Sequence, residues 1–387
     1  MPFKETCVLE ETMRFVLACV AGEESMALLC EQFGISRQWG YEMLRRYRAS
    51  GPSELEPRSR APHRPGQAMP AEIADAVVAL RGEHPSWGPK KLRAVLMRRA
   101  PEIVWPAASS MGDLLRREGL VRSRRRRRVP LPVSRPFAAV AAPNDLWCID
   151  FKGWFRTRDG ERCDPLTLSD AESRFLLACR AVSPVGAEVD RVTERAFRDY
   201  GLPRAIRSDN GPPFASTGAG GLTRLAVKWI KLGIRLERTD PGSPQQNGRH
   251  ERMHKTLKAE TAAPPADTLA AQQRRFDRFR ATYNHERPHE ALGQETPASH
   301  YQRSSRRYPR RLQEPHYDAT YAVRRVRSNG EIRWGGDLIF LSETLVGEPV
   351  GLAETETGDW IVSFADLPLG RIDRRSRTLR PFAPARP

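Results

Sequence analysis

Residues Ser243 to Lys258 read Ser-Pro-Gln-Gln-Asn-Gly-Arg-His-Glu-Arg-Met-His-Lys-Thr-Leu-Lys, and this stretch restricts the fold more than any other. A helix is expected over 247–261. Positions 251, 254, 255 and 258 share one face of it, which aligns Glu251, His254, Lys255 and Lys258. Met253 and Leu257 point elsewhere and can anchor the helix in a core. The segment also contains His250-Glu251-Arg252-Met253-His254, which fits H-E-x-x-H, the zinc-binding pattern of metalloproteases. A carboxylate beside two lysines suits instead a metal held against a nucleic-acid backbone. The plain alternative is an amphipathic surface helix with a Glu–Lys pair one turn apart.

Charge favours the nucleic acid. Across 387 residues Lys and Arg number 64 against 47 Asp and Glu, a net charge of +17 with a pI near 10.2. Such an excess points to a polyanionic partner. A basic enzyme with a solvated charged face would show no concentration of charge. Here residues 37–128 hold 21 Lys/Arg and 9 Asp/Glu, while residues 1–31 are net acidic. Six scattered cysteines without a C-x-x-C argue against a zinc finger and a disulfide framework, and fit a reducing compartment. No apolar run approaches the roughly 18 residues of a membrane span. The acidic Glu5, Glu10 and Glu11 stand where a signal peptide would be basic and then apolar. The expectation is an intracellular, soluble protein.

Along the chain, residues 10–50 read as short helices. Ser25 is a candidate cap for a helix through Phe33, Gly34 suits a left-handed stop, and Ser36 is a good N-cap for the next helix. In that helix Gly40, Met43, Leu44 and Tyr47 lie on one face and Arg37, Gln38, Tyr41, Arg45 and Arg46 on the other. A short helix, a Gly turn and a basic helix form the helix-turn-helix pattern, with an ordinary helical hairpin as the alternative. On propensity alone Gly40 is a flaw, costing about 1 kcal/mol against Ala. A Pro-, Arg- and Ser-rich stretch follows at 51–69, then a second helical unit at 70–121 with Pro89 and Pro106 near helix starts and Gly119 at an end. Arg122 and Ser123 lead into Arg124, Arg125, Arg126, Arg127 and Arg128, a run suited to following phosphates or entering a minor groove.

From 144 the pattern turns to strands at 146–151, 165–169 and 174–182, then alternates: helix 186–200, strand 205–208, helix 221–232, strand 234–238, helices 247–261 and 267–284. A mixed sheet covered by helices is expected. Asp150 lies in a strand that otherwise reads as buried, where a lone carboxylate is costly unless paired or metal-bound. Asp209 stands where a strand meets Asn210-Gly211, at the edge where ligand sites collect in α/β sheets. With Glu251 these make an oxygen-donor set suited to Mg²⁺ or Mn²⁺. Beyond 330, short strands and Gly turns read as a small β-barrel or sandwich at 320–380.

Trp147-x-x-Asp150-Phe151, Ser208-Asp209-Asn210-Gly211-x-x-Phe214 and Ser243-Pro244-x-x-Asn247-Gly248-x-x-Glu251-x-x-x-Lys255-x-x-Lys258 resemble the core of insertion-sequence DDE transposases with a retroviral-integrase-type catalytic domain. Tyr283-Asn284-x-x-Arg287-Pro288-His289-x-Ala291-Leu292 is similar to their closing segment, and His84-Pro-Ser-Trp-Gly-Pro-Lys-Lys-Leu-Arg to their second helix-turn-helix. Each motif alone is weak; four in the right order are specific. The resemblance covers 144–300 strongly and the flanking helical units loosely.

It implies a multidomain α/β protein: helix-turn-helix at 1–50, linker 51–69, second helical DNA-binding unit 70–121, basic linker 122–143, integrase-type catalytic core of ribonuclease H-like fold at 144–300, basic linker 301–319, and the small β domain at 320–380. Asp150, Asp209 and Glu251 become the catalytic ligands of two Mg²⁺ ions, with Mn²⁺ able to substitute. The implied enzyme is a polynucleotidyl transferase that cuts DNA at element ends and joins the 3′-hydroxyl to target DNA by in-line displacement. Lys255 and Lys258 would hold phosphates. Arg37, Gln38, Arg45, Arg46 and Arg124–Arg128 would bind double-stranded DNA. A homo-oligomer assembled on DNA, a cytoplasmic, nucleoid-associated location and no membrane partner complete the expectation.

One departure stands out. Asp209 and Glu251 lie 42 positions apart, which leaves Glu237 as a rival third ligand, although the motif surrounds Glu251 and Glu237 sits in an expected strand. Two other functions remain alongside: a non-catalytic DNA-binding regulator derived from a transposase, and the H-E-x-x-H zinc protease. The protease lacks a clear third ligand and has a polar turn, Asn247-Gly248-Arg249, where a buried helix would be needed.

Overall fold

A computed structural model of the chain describes residues 7–56, 69–121, 140–239, 248–373 and 376–382. The chain divides into two compact units, 1–69 and 70–387. In the first, three helices wrap one apolar core: α1 (Val8–Ala21), α2 (Met26–Gln32) and α3 (Arg37–Ser50). Ser25 and Ser36 cap α2 and α3, their hydroxyls accepting from the Leu28 and Trp39 amides, and Gly34 takes a left-handed φ of 64° between them. Phe15, Val16, Leu29, Cys30, Met43, Leu44 and Leu55 fill the centre.

Gly40 corrects the propensity argument. A Cβ there would lie 2.8 Å from Cys30 Sγ and 2.9 Å from the Phe15 ring. Its missing side chain is what lets α3 approach α1 and α2.

The second unit opens with α4 (Ala71–Glu83), α5 (Pro89–Arg99) and α6 (Ala108–Arg117). Val77, Leu80, Trp87, Leu92, Met111 and Leu115 are buried among them. Pro89 starts α5, where its missing N–H costs nothing. The group meets the rest of the unit through polar contacts, among them Lys90 with Glu290 at 2.9 Å and Arg98 donating to the Glu286 carbonyl at 3.3 Å.

The central sheet forms from β1 (Leu146–Phe151), β4 (Pro165–Asp170), β5 (Leu176–Ala181), β6 (Ala205–Ser208) and β7 (Arg235–Arg238), in the order β5-β4-β1-β6-β7. Between β1 and β4 lies a two-residue-per-strand hairpin, β2 (Phe155–Arg156) with β3 (Arg162–Cys163). β5, β4 and β1 are antiparallel; β1, β6 and β7 are parallel. The β2–β3 hairpin joins β1 to β4 and residues 171–175 join β4 to β5, whereas parallel strands need crossovers, supplied by α7 (Gly186–Tyr200) and α8 (Arg224–Lys231). Strand alternation sends Trp147, Ile149, Leu166, Leu168 and Ile206 to one face, against Val189, Phe197, Leu225 and Trp229. The other face is covered by α9 (Gly248–Thr261) and α10 (Leu269–His285), through Met253, Leu257, Phe276 and Phe279. A mixed sheet with helices on both faces is the expected ribonuclease H-like core.

The closing segment seals an edge. Asn284, near the end of α10, accepts from the Leu176 amide at 2.8 Å and donates to its carbonyl at 3.0 Å, doing for edge strand β5 what another strand would do. A short α11 (Pro297–His300) follows.

The C-terminal region corrects the expected β-barrel. Its strands are β8 (Ala322–Arg325), β9 (Glu331–Trp334), β10 (Asp337–Phe340), β11 (Pro349–Glu354), β12 (Trp360–Phe364), β13 (Leu367–Ile372) and β14 (Leu379–Pro381). They form an open sheet, β14-β13-β12-β11-β8, and a separate β9–β10 hairpin; among the described residues no sheet closes on itself. The reason lies in what covers the apolar face. Ala219, Leu222, Ala226 and Val227, from α8 and the loop before it, enter one core with Ile332, Ile339, Val350, Leu352, Val362 and Leu369. A sheet whose apolar face is covered by a neighbour has no need to curl around it.

Candidate functional site

The site grows from the register of β1 and β6. Leu146 pairs with Ala205, Trp147 with Ile206 and Cys148 with Arg207, all in parallel. The pairing ends at Cys148–Arg207; Asp150 lies two residues further along β1 and Asp209 one residue past β6, so both stand at the same end of neighbouring parallel strands. Neighbours in register share a sheet face. Thr167, the cross-strand partner of Asp150, meets His250 and His254, so Asp150 falls on the α9 side of the sheet. Asp150 and Asp209 stand at the C-terminal ends of parallel strands, where α/β sheets collect their ligands. The Gly211 amide donates to Asp209 Oδ1 at 3.3 Å. Partial burial nonetheless holds the Asp209 carboxyl above the ordinary carboxylate range, with that amide pulling the other way.

Above this face lies α9. Met253 and Leu257 are buried as the helix pattern requires. His250 and His254 are buried too, only 3% and 4% exposed, so His254 turns inward rather than joining the lysine face. Both Nε2 atoms close on one hydroxyl: Thr167 Oγ1 lies 2.7 Å from His250 Nε2 and 2.6 Å from His254 Nε2. Thr167 is the cross-strand partner of Asp150, and Ser169, two residues on, meets His250 Nδ1 at 3.2 Å. His254 Nδ1 faces Asp150 Oδ2 at 3.7 Å, beyond hydrogen-bond reach. Burial pushes His250 down to about 4; burial, then His250 and Lys152, push His254 down to about 2. Both rings are neutral at pH 7. A hydroxyl carries one proton, so at least one of the two Nε2 atoms must itself donate to Thr167.

Asp150, His250 and His254 each offer a ligand atom within 4.8 Å of the others, a candidate cluster for a divalent cation. The convergence of the two Nε2 atoms is the geometry a zinc protease would use, but the Thr167 hydroxyl stands at that point. Glu251 lies in the first turn of α9 beside His250; its side chain is outside the described residues. The rival Glu237 is engaged elsewhere, 2.8 Å from Arg207 and 3.0 Å from Arg235. Asp170, buried, accepts from the Asn144 and Ser173 amides and the Ser173 hydroxyl, a structural role.

An open cleft of about 590 Å³ runs past the cluster, lined by Asp150, Lys152, His254, Lys255 and Lys258 among others. Lys255 and Lys258 are exposed on the outer face of α9, as the helix pattern predicts. In the N-terminal unit Arg37, Gln38 and Arg45 are exposed on α3. Arg46 differs, its guanidinium donating to the Glu54 and Glu56 carbonyls. Arg124–Arg128 lie outside the described residues. Sequence reading passed over Thr167 and Ser169. Strand alternation places both on the Asp150 face, but only the fold shows which histidines they meet.

Family models agree with this layout. Two described as Integrase core domain match residues 140–244 and 232–297; a Homeodomain-like domain matches 39–115 and a Helix-turn-helix domain 13–63. The insertion element IS407 uncharacterized 31.7 kDa protein of Burkholderia multivorans is 30% identical over 232 residues, covering 58% of this chain and 79% of that protein. The insertion element IS476 uncharacterized 39.2 kDa protein of Xanthomonas euvesicatoria is 30% identical over 237 residues, 60% of this chain and 64% of that one. Among solved structures, the catalytic core domain of BIV integrase aligns with TM-score 0.32 at 21% identity, over 40% of this chain and 92% of that one. A chain of the simian T-cell lymphotropic virus intasome aligns with TM-score 0.38 at 16% identity, over 74% and 91%. At those scores the two structures add nothing to the assignment. The family models and the insertion-element relatives carry it: the chain belongs to the DDE family of insertion sequences whose core is of the retroviral-integrase type.

Proposed function

We propose that this chain is a DNA transposase that cuts strands at the ends of a mobile element and transfers them into target DNA with the help of two divalent metal ions. The observation that supports the reading is the parallel pairing of β1 with β6, whose C-terminal ends carry Asp150 and Asp209, with α9, the helix bearing Glu251, packed over the Asp150 face. Three carboxylates are hard oxygen donors and suit Mg²⁺ or Mn²⁺. The partly desolvated Asp209 carboxyl gains most from a nearby cation. When bound, such ions supply Lewis acidity and a nucleophile, water or a 3′-hydroxyl, activated at neutral pH.

The chain's own residues do the rest. Asp150, Asp209 and Glu251 hold the cations. Lys255 and Lys258, with Lys152 across the cleft, hold phosphates and fix the strand for in-line attack. Exposed Arg37, Gln38 and Arg45 on α3 read DNA, and the run Arg124–Arg128 follows the backbone. Two element ends must be handled together, so the working form is a homo-oligomer on DNA. The neighbouring C-terminal sheet supports DNA or partner contacts. No helix among the described residues is long and apolar enough to cross a membrane.

The test is strand transfer on oligonucleotides carrying the element's ends, in Mg²⁺. Asp150→Asn, Asp209→Asn and Glu251→Gln should each abolish product while leaving DNA binding in place. Product formed by any of the three at the wild-type rate overturns the assignment of that carboxylate. Persistence in all three overturns the mechanism.

A further inference from the structure

The β2–β3 hairpin carries a tryptophan that packing does not explain. Phe155 and Cys163 are paired across it and point inward, Cys163 fully buried and Phe155 against the same core as Met253 and Leu257. Arg156 and Arg162 are the next cross-strand pair and both are exposed. Trp154 joins them on that outer side, 57% exposed. The two guanidiniums lie over its ring, Arg162 at 5.2 Å and Arg156 at 5.8 Å from the centroid. Each is held in place: Arg162 by two bonds to Asp164 at 2.7 and 2.8 Å, Arg156 by the Gly160 carbonyl at 2.7 Å. A large aromatic ring, more than half exposed, therefore stands beside two guanidiniums that the hairpin itself holds in place.

Its position gives it a partner. Trp154 lines a small pocket with Lys152, Gly153 and Lys258, three residues that also line the cleft beside Asp150. A strand lying in that cleft passes the ring. An exposed aromatic face among cations is the arrangement that stacks nucleobases, sequence-tolerantly because every base has a π-face. A base paired within a duplex has no free face to offer.

We propose that Trp154, Arg156 and Arg162 form a stacking site for an unpaired DNA base next to the cleft, with the two arginines on its flanking phosphates. The site would hold a frayed or single-stranded end beside Asp150, and it rests on the reading that DNA occupies the cleft.

The experiment measures binding by the full chain in EDTA, so that it stands whether or not strand transfer occurs. The probes are a fluorescent duplex with blunt ends, the same duplex with a four-nucleotide 3′ or 5′ tail, and the tailed duplexes with abasic sugars in the tail. Wild type should prefer a normal tail over the blunt end by about fivefold or more. It should lose that preference with abasic tails. Trp154→Ala should lose it too, with blunt-end affinity unchanged, and Trp154→Phe should keep most of it. Arg156→Ala should weaken binding of tailed DNA and lower its salt dependence. No tail preference in wild type, an undiminished preference in Trp154→Ala, or equal binding of abasic tails would each overturn the site. Altered oligomeric state in Trp154→Ala with the preference intact would assign the ring to a protein contact instead.

Discussion

Gly40 and the histidine pair show how single residues take their meaning from what they touch. Helix propensity favours alanine over glycine at position 40 by about 1 kcal/mol. The contacts at 2.8 and 2.9 Å that a Cβ would make argue the other way, because overpacking a core costs about 1–3 kcal/mol. Gly40→Ala is expected to destabilise the N-terminal unit, read as faster amide exchange in residues 7–56 of the full chain. Exchange slowed by the substitution would show that propensity wins. The histidines make a pH prediction. Above pH 6.5 His250 and His254 are neutral whether the chain is folded or not. Below it the unfolded chain takes up two protons that the folded chain refuses, until His250 titrates near 4. Stability present above about pH 6.5 is thus lost on acidification, by about 4 kcal/mol between pH 7 and 5 for the pair. Urea midpoints at the two pH values should show this loss in wild type and little of it in a His250→Asn, His254→Asn double variant.

At the scale of elements, α9 carries the argument. Its anchors Met253 and Leu257, and its exposed Lys255 and Lys258, were legible from helical spacing alone. His254 was not. It stands on the helix between the lysine face and the buried face, and only the Thr167 hydroxyl opposite decides which it joins. The outer face makes its own prediction. If both lysines neutralise phosphates, changing Lys255 and Lys258 to Ala should lower the slope of log binding constant against log salt by about 2. An unchanged slope would place DNA elsewhere. The strands behaved as α9 did: β1 and β6 were read at their observed limits, because turn-forming residues bound each of them. Their adjacency was not readable, and the placing of Asp150 and Asp209 at the same end of neighbouring strands depends on it.

At the scale of the molecule, the C-terminal region shows why local pattern misleads. Short strands separated by Gly turns are compatible with a barrel, a sandwich or an open sheet. The choice fell to residues far away in sequence, Ala219, Leu222, Ala226 and Val227, which cover the sheet from α8 and the loop before it. Val227, 5% exposed, sits among apolar side chains of that shared core, where a charge is costly. Val227→Asp should lower stability by about 3 kcal/mol or more. Because the core is shared, thermal unfolding should show the C-terminal sheet and the central sheet with its helices weakening together. A sheet that melts alone, with the remainder unmoved, would contradict the shared core.

Local spacing and motif order made the helices and main strands of the core, the Ser25 and Ser36 caps, the acidic residues at strand ends and the family legible along the chain. Only the assembled fold shows that β1 and β6 are adjacent, that the H-E-x-x-H histidines close on a threonine, that Glu237 belongs to two arginines, and that the last sheet stays open. Each is a contact between residues distant along the chain, and which distant residues meet is settled by packing.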